Sequence, residues 1–279
     1  MALDFPNIVP ENNLRFPDAL TIKHGPATLL SRFILAGDQA VREAGVRLRL
    51  RHDFDELVYV NRHYAQTHSW YPLVDGFSAE SVDLTPENAF WTSGENEAGE
   101  IVATRITRVY NWTETNFEEQ ACAFWYGEDH GQPCVVTAEA AKMISGICTA
   151  GSAFWVRPDY RGRHLSRWIP RLDKAMACAR WPIDWLFCYI HLEQVKKGLA
   201  VNYGQKHLSY SVFYPGSGHD ELVLAYTAID EFYDDIAEIL DAPSSSASSE
   251  GMSSVPNLRV HPVTNTSSDG VFQGSIRRS

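Results

Sequence analysis

Two arginines flank a glycine in a polar stretch, Val156 to Ser166, which joins a short apolar segment to a helix-like one. Arg161, Gly162 and Arg163 lie at its centre. The unpaired backbone N–H groups and the dipole at the start of a helix attract anions, and arginine adds a fixed positive charge. These residue types predict a phosphate site, with a pyrophosphate as its natural occupant. The alternative is that Gly162 serves only the turn and that both arginines are solvated.

The same stretch resembles the acyl-CoA-binding motif of the GNAT (general N-acetyltransferase) superfamily, V-x-P-x-[YF]-R-G-x-G-[IL]-[GA]. The matching residues are Val156, Pro158, Tyr160, Arg161, Gly162 and Leu165. His164 and Ser166 stand where the family has glycine and glycine or alanine. Glycine lets a backbone closely approach a pyrophosphate, so His164 either crowds that group or contributes a hydrogen bond to it. The resemblance implies an acetyl-CoA or other acyl-CoA co-substrate, held by Val156, Arg161, Gly162, Arg163, His164, Leu165 and Ser166.

A tyrosine further along the chain matches a second, shorter motif of that family, Y-x-x-x-G-F. Tyr203 keeps the tyrosine and the spacing, with His207 and Leu208 in place of the glycine and the phenylalanine. The resemblance implies that Tyr203 protonates the departing CoA thiolate, a role that suits a phenol with a pKa near ~10. The alternative is that Tyr203 only packs at the end of a helix.

An acceptor amine must lose a proton before it attacks, either directly or through water. His191 has a suitable pKa range, Glu193 is the alternative general base, and an ordered water chain is a third route. The resemblance also implies that a backbone N–H at the end of the strand 153–156 polarises the acyl carbonyl. We therefore predict an acyl-CoA-dependent N-acyltransferase, most simply an N-acetyltransferase. It acts by direct attack in a ternary complex, with Tyr203 and His191 as catalytic residues.

Hydrophobic periodicity indicates the elements that position these residues. Val46, Leu48 and Leu50 alternate with arginines, which predicts a strand with one buried face. These arginines either dock a phosphate or an acidic carrier, or form a solvated edge face. Asp53, with Glu56 three residues later, is typical of a helix start.

The remaining predicted elements surround the motif. In chain order they are a helix over 28–44, a hairpin of strands 89–93 and 101–110, a helix over 138–147, a strand over 153–156, a helix from 165 to 179, a strand over 183–190, a helix over 193–205 and a hairpin of strands 208–214 and 221–227. A strand–loop–helix–strand unit predicts parallel strands. The family's order of elements maps onto residues 46–228. It implies an α/β fold, a mixed sheet whose central parallel pair is splayed at the acyl-CoA site, with helices on both faces.

Composition divides the chain and limits its function. We expect an N-terminal arm and helix (1–45), a GNAT-like acyltransferase domain (46–241, with an insertion at about 111–148) and a disordered serine-rich tail (242–279). Hydrophobic residues make up 44% of the 279, enough for a sizeable core, and the formal net charge is −11. This charge argues against nucleic acid as a partner and mildly favours cationic substrates such as amines. Without a bilayer-length apolar stretch or a signal-peptide pattern, we predict a cytoplasmic protein with no membrane partner.

The five cysteines are odd in number and lack CxxC spacing, which indicates neither a disulfide framework nor a zinc site. Cys148, Cys178 and Cys188 lie in apolar or helical contexts, where a thiol behaves as a small hydrophobe. His130 and Cys134 are four residues apart in a loop without a second ligand pair, so we predict no metal.

The acceptor stays open, as a small-molecule or peptide amine, and the chain either acts alone or forms a homodimer. Its binding wall is expected from Trp70, Tyr71, Pro72 and hairpin residues such as Arg105, although aromatic residues suit a core equally. Two other functions remain. The segment 89–108 suggests an acyl-homoserine-lactone or N-acyl amino acid synthase. The missing motif glycine and the undetermined base suggest a non-catalytic CoA-binding or interaction module.

Overall fold

The computed structural model describes residues 13–68, 70–127, 134–214, 222–242 and 259–261. Their strands are β1 (Asn13–Arg15), β2 (Arg47–Arg51), β3 (Ala89–Glu95), β4 (Ile101–Trp112), β5 (Val135–Val136), β6 (Gly146–Val156), β7 (Trp185–His191), β8 (His207–Phe213), β9 (Leu222–Ala228) and β10 (Arg259–His261). Their α-helices are α1 (Ala27–Glu43), α2 (Phe54–His68), α3 (Phe117–Tyr126), α4 (Leu165–Arg180), α5 (Leu192–Lys196), α6 (Leu199–Asn202) and α7 (Ile229–Asp241). The strands form one mixed sheet in the order β1-β2-β3-β4-β6-β7-β9-β8-β10, and β5 also pairs with β8.

A parallel pair, β6 and β7, lies at the centre of this sheet. The two strands are in register only from Cys148 to Ala150 on β6, opposite residues 185–187 of β7. Beyond these pairs both strands continue, to Val156 and to His191, without facing each other. Their outer neighbours, β4 and β9, pair with them in the antiparallel sense. The predicted mixed α/β sheet with a splayed central parallel pair is therefore confirmed.

Apolar side chains cover both faces of the sheet, as alternation along the strands requires. On one face α1, α4 and α7 share a core through Phe33, Leu172 and Phe232, all fully buried. On the other face α2 and α3 cover an aromatic cluster that includes Phe117 and Phe187. The helices on both faces, predicted from the sequence, are thus present. In the described part of the chain, none of the helices is long and apolar enough to cross a bilayer.

Two of the three arginines of β2, Arg49 and Arg51, are engaged in ion pairs, whereas Arg47 is exposed. Glu95 on β3 binds both Arg49, with Nε 2.8 Å from its Oε2, and Arg51, with Nη2 2.5 Å from its Oε1. Arg51 also pairs with Glu56, whose N–H donates to Asp53 Oδ1 as the predicted helix start requires. Because β1 pairs with β2, the strand does not lie at the edge of the sheet. Arg49 and Arg51 therefore form neither a basic docking strip nor a solvated edge.

Three predicted elements have different bounds in the structure. The strand predicted over 153–156 starts at Gly146, since β6 pairs with β4 along its whole length. The helix predicted over 138–147 is only a 3-10 turn, Glu139–Lys142, because the chain turns at Gly146 with φ +85°. The helix predicted over 193–205 is divided into α5 and α6 by Gly198, whose φ of +81° lies outside the helical region.

One expectation about the cysteines is also corrected. Cys122 on α3 and Cys134 form a disulfide bond, although the sequence indicated none. This pairing depends on the position of Cys134 relative to α3 in the fold, and the spacing of the two cysteines in the sequence does not indicate it. His130, the other half of the rejected metal pair, lies outside the described residues. In the segment predicted to be disordered, Arg259–His261 pairs with β8 in parallel. Residues 243–258 and 262–279 lie outside the described ranges, as do residues 1–12 of the predicted arm.

Candidate active site

The loop between β6 and α4 presents a row of backbone hydrogen-bond donors. The N–H groups of residues 162–166 make no hydrogen bond to another residue in the described ranges. The first N–H groups of a helix have no partner within the helix. The first turn of α4 carries no acidic side chain that would compete with an anion. The loop and the positive end of the helix dipole thus present unpartnered donors of the kind that a bound anion needs, and the predicted anion site stays a prediction.

Two residues of this loop have left-handed backbones. Gly162 has φ +78°, and a Cβ there would meet no atom within 4 Å, so its conformation rather than lack of space favours glycine. His164 has φ +58° directly before α4. A residue with a side chain in this region costs on the order of 1–2 kcal/mol. His164 therefore keeps the backbone conformation that the glycine of the family motif adopts easily.

A cavity of about 530 Å³ lies beside this loop. The predicted cofactor residues that line it are Val156, Arg161, Gly162, His164, Leu165 and Ser166. Arg161 Nε donates to the Val156 carbonyl at 3.1 Å, whereas its Nη atoms make no hydrogen bond to a described residue. The guanidinium is thus anchored at one nitrogen, and its other donors remain available to a bound anion.

Arg163 is the one predicted cofactor residue that the structure does not bring to this cavity. Its guanidinium donates to the carbonyl oxygens of Ala44, at 3.1 Å, and Asp159, at 3.3 Å. It also packs over the Tyr160 ring at 4.1 Å from the centroid. The Arg163 side chain therefore fixes the loop against the end of α1 and does not line this cavity, so its contact with a pyrophosphate stays a prediction.

A second, smaller cavity of about 150 Å³ lies between the splayed ends of β6 and β7. The residues that line both cavities are Trp70, Tyr71, Phe154, Gln194 and Tyr203. A β-bulge shapes the β6 wall: the β4–β6 register shifts between Thr104 and Ile106, and Ala153 has φ +51°. Bulges redirect side chains beside functional sites. The splay and the bulge together let the two cavities meet at Tyr203.

Tyr203 follows α6 and is 7% exposed. Its ring meets Phe154 edge-on, with centroids 5.3 Å apart, and Arg105 Cζ lies 5.6 Å from its centroid. Burial raises the pKa of Tyr203 well above its usual value, and the nearby Arg105 opposes this rise only in part. The phenol therefore stays protonated at neutral pH. It is suited to give up a proton only to a strongly basic group that forms beside it.

The structure separates the two candidate bases. His191, at the end of β7, lines the smaller cavity, and its ring centroid lies 5.4 Å from that of Tyr71. Glu193 lines neither cavity and pairs instead with Lys196 at 2.7 Å, a contact that lowers its pKa. His191 thus faces the space in which an acceptor would lie, and Glu193 does not.

Buried charges lie directly behind Tyr203. Arg105 is 2% exposed, and its Nε lies 3.6 Å from Oδ2 of Asp173, which accepts a hydrogen bond from Thr92 on its other oxygen. Lys174 Nζ donates to the Tyr203 carbonyl at 2.8 Å. Asp173 and Lys174 were not recognised in the sequence, because polar residues on an amphipathic helix are expected on its solvated face.

Other lining residues also lacked a sequence signal. Gln194, Asn202 and Cys188 border the cavities, but none belongs to a motif. Trp70 and Tyr71 were considered either as substrate wall or as core. Trp70 is both, since it stacks on Trp155 with centroids 5.2 Å apart and also lines both cavities.

No protein-family model matches the chain, and no curated protein is similar to it in sequence. Among solved structures, an uncharacterized protein from Bacillus halodurans is 12% identical in sequence, with a TM-score of 0.43. The match covers 70% of this chain and 91% of the Bacillus halodurans chain. FeeM, an N-acyl amino acid synthase from uncultured soil microbes, is 12% identical, with a TM-score of 0.40. The match covers 67% of this chain and 93% of the FeeM chain. Arabidopsis thaliana NAA60 in complex with acetyl-CoA is 10% identical, with a TM-score of 0.41. The match covers 66% of this chain and 99% of the NAA60 chain. At these identities the likeness concerns the course of the chain and not its chemistry.

Proposed function

We propose that the protein is an acyl-CoA-dependent N-acyltransferase. The observation that supports this most directly is the meeting of two cavities at Tyr203. The larger one is bordered by the free N–H groups of residues 162–166, and the smaller one opens between the splayed strands. A phosphate-bearing donor and a separate acceptor can therefore approach one buried phenol from two sides.

The residues at the larger cavity fit a CoA thioester, which supplies an activated acyl group. The N–H groups of residues 162–166 and the Nη atoms of Arg161 are donors suited to a pyrophosphate. Phe154 and Trp155 at the end of β6 and Leu199 on α6 offer an apolar wall for the pantetheine arm. Beyond Ala150, β6 has no partner on the β7 side, so its backbone donors there are available to polarise the acyl carbonyl.

His191 takes the proton from the acceptor amine, directly or through water, as the amine nitrogen bonds to the acyl carbon. The carbon–sulfur bond breaks, and Tyr203 gives its proton to the departing thiolate. Burial supports this assignment, because a neutral phenol can donate and a phenolate cannot. The reaction is direct transfer in a ternary complex, with acetyl as the simplest acyl group.

The function is tested by release of CoA thiol from acetyl-CoA in the presence of amines. Tyr203→Phe is expected to lower kcat by about 100-fold, the usual contribution of a general acid. The KM for acetyl-CoA should stay unchanged, since the phenol interacts with charge that forms only in the transition state. Tyr59→Phe is the matched control, because Tyr59 is 72% exposed.

Three results would change the assignment of the function or of the role of Tyr203. Acetyl-CoA binding without thiol release for any amine would favour a non-catalytic CoA-binding module. Release only from an acyl carrier protein would favour the synthase alternative. The ion pairs of Arg49 and Arg51 leave Arg47 as the one arginine of β2 without an ion pair among the described residues, which speaks against a basic docking strip there. Normal turnover by Tyr203→Phe would remove the acid role from Tyr203 and leave the transferase assignment in place.

A further inference from the structure

Arg105 carries the one permanent charge among the described residues that line the smaller cavity. The other lining side chains are apolar, aromatic or neutral, apart from His191. A cavity with this lining does not favour a polycation, although the net charge of the chain pointed to cationic substrates. The charged group that distinguishes the smaller cavity is therefore a buried guanidinium.

The part of Arg105 that reaches the cavity is its guanidinium. Strand β6 lies between β4, which carries Arg105, and the cavity, so it screens the Arg105 backbone. The guanidinium passes directly over Gly151 on β6, where an added Cβ would overlap Nη2 and Cζ. Glycine at position 151 thus leaves the space through which Arg105 reaches the opening between β6 and β7.

The hydrogen-bonding capacity of Arg105 is largely unused within the described residues. Its Nε is buried without a hydrogen-bond partner, and its Nη atoms make no hydrogen bond. Asp173 is the adjacent acid, but the 3.6 Å between Nε and Oδ2 is too long for a hydrogen bond. Burial raises the pKa of Asp173 to about 7, with Arg105 and Thr92 opposing the rise, so this carboxyl neutralises Arg105 only in part at neutral pH.

A buried guanidinium with free Nη donors matches a carboxylate, which it binds through two parallel hydrogen bonds. We propose that Arg105 binds the carboxylate of the acceptor and that the acceptor is an α-amino acid with an apolar or aromatic side chain. This proposal rests on the proposed function, because it identifies the amine that the transferase acylates.

The geometry of the site specifies the rest of the acceptor. Arg105 Cζ lies 5.6 Å from the centroid of the Tyr203 ring, so an amine close to the carboxylate lies beside the proposed acid, where the thioester would react, while the carboxylate stays on Arg105. This short distance favours an α-amine over a distant one. The remaining wall is aromatic, formed by Trp70, Phe77, Phe124, Trp125 and Tyr189. It suits the burial of an apolar side chain.

The first test needs only the unmodified protein. Thiol release from acetyl-CoA is compared between L-phenylalanine and phenethylamine, and between L-leucine and isoamylamine, pairs that differ only in the carboxylate. Loss of one charge-assisted hydrogen-bonded contact costs about tenfold to a hundredfold. We expect kcat/KM to be higher by at least that factor for the amino acid of each pair.

The second test measures binding and does not depend on catalysis. L-Phenylalanine is titrated calorimetrically into the protein with CoA present. Arg105→Gln combined with Asp173→Asn removes both buried charges together, and Gly151→Ala displaces the guanidinium; each is expected to weaken binding at least tenfold. Arg62→Gln, which removes an arginine 64% exposed in a surface ion pair, is the matched control and should bind as the wild type does.

The outcomes separate this proposal from the proposed function. Equal kcat/KM for phenylalanine and phenethylamine overturns the carboxylate site and leaves the transferase standing. Phenylalanine binding that depends on Arg105, without thiol release from any donor, supports the carboxylate site and removes the transferase assignment. Failure of both amino acids to bind and to react overturns the proposal, and so does unchanged binding by both variants.

Discussion

Arg161 and Arg163 are residues of one type on either side of one glycine, yet their side chains do different work. Arg161 borders the larger cavity with its Nη atoms unengaged, whereas Arg163 is held by the carbonyls of Ala44 and Asp159. Ala44 lies far away in the sequence, at the end of α1, so no local pattern could reveal this contact. The contribution of Arg163 to binding is therefore indirect, through the shape of the loop.

This difference gives a matched pair of variants. Arg161→Ala is expected to weaken acetyl-CoA binding at least tenfold, because it removes a charge-assisted hydrogen bond to phosphate worth about 1.5–3 kcal/mol. Arg163→Ala should have a clearly smaller effect on the Kd and a larger one on the Tm, since it unties the loop from α1. Calorimetric titration and thermal unfolding measure the two. Equal losses of affinity in both variants would contradict the assignment of Arg161 to the phosphate.

The residue types of the site were predictable where they belong to a contiguous motif. The stretch from Val156 to Ser166 carries its own chemistry, since a helix start with free N–H groups needs only local sequence. Tyr203 was recognised on spacing alone. Arg105 was named only as one of several wall residues, because its burial, its Asp173 neighbour and the glycine beneath it come from β4, α4 and β6.

Helix α3 links the disulfide to the smaller cavity. It carries Cys122, bonded to Cys134, and also Phe124 and Trp125, which line the smaller cavity. The bond closes a short loop with a sequence separation of 12. Cross-links of this size stabilise mainly by restricting the unfolded chain. The disulfide is therefore attached to the helix that forms one wall of the smaller cavity, and it does not involve the loop at α4.

Removal of this bond should act on the two substrates unequally. For Cys122→Ser with Cys134→Ser we expect a Tm lower by roughly 5 °C or more, from about 3 kcal/mol for a loop of about 15 residues. The acceptor KM should rise and the Kd for acetyl-CoA should stay unchanged. A reductant should reproduce these effects in the wild type and do nothing to the double variant. An unchanged wild-type Tm on reduction would show that the bond carries no stability.

Disulfides persist mainly in oxidising compartments. The bond between Cys122 and Cys134 therefore stands against the cytoplasmic location predicted from the sequence, unless it is formed and broken in use. The prediction rested on the lack of a signal pattern and on scattered cysteines. The disulfide between Cys122 and Cys134 depends on the fold around α3, so cysteine spacing alone could not predict it.

At the element scale, periodicity located β2, α1 and α4 because each has a regular apolar face, and a nearly continuous apolar run located β7. It failed where single glycines interrupt a helical pattern, at Gly146 and at Gly198. Both have positive φ, a backbone state that apolar periodicity does not record. The start of β6 was misplaced for a different reason. Residues 146–152 are small and polar and have no strand pattern of their own, so only their pairing with β4 identifies them as a strand.

For the whole molecule, the fold was more predictable than the acceptor site. Strand order follows from local units and from the resemblance to a known family. The smaller cavity instead draws its lining from β4, β6, β7, α3 and the segment 70–77, which are far apart in sequence. A site assembled from so many elements has no linear signature. Its chemistry becomes readable only when the sheet brings Arg105, Gly151 and Tyr203 together.

The strand β10 changes what is expected of a truncated chain. It pairs with residues 207–209 of β8, on the side away from β9. A chain ending at residue 242 should bind acetyl-CoA normally, since Arg259–His261, the described part of the removed segment, lines neither of the two cavities. It should self-associate with rising concentration, because unpaired strand edges template edge-to-edge contacts. A chain ending at residue 261 retains β10 and is the matched control. Sedimentation tests this, and a monodisperse shorter chain would show that β10 does not protect the edge.

The narrow register between β6 and β7 has a further consequence. Three residue pairs join the half of the sheet that contains β1 to β4 and β6 to the half that contains β7 to β10. A donor seated as proposed touches both halves, so its binding free energy adds directly to the cohesion between them. During each turnover the bound donor would then help to hold the two halves of the sheet together. The empty form that waits for the next donor would be the less tightly joined of the two.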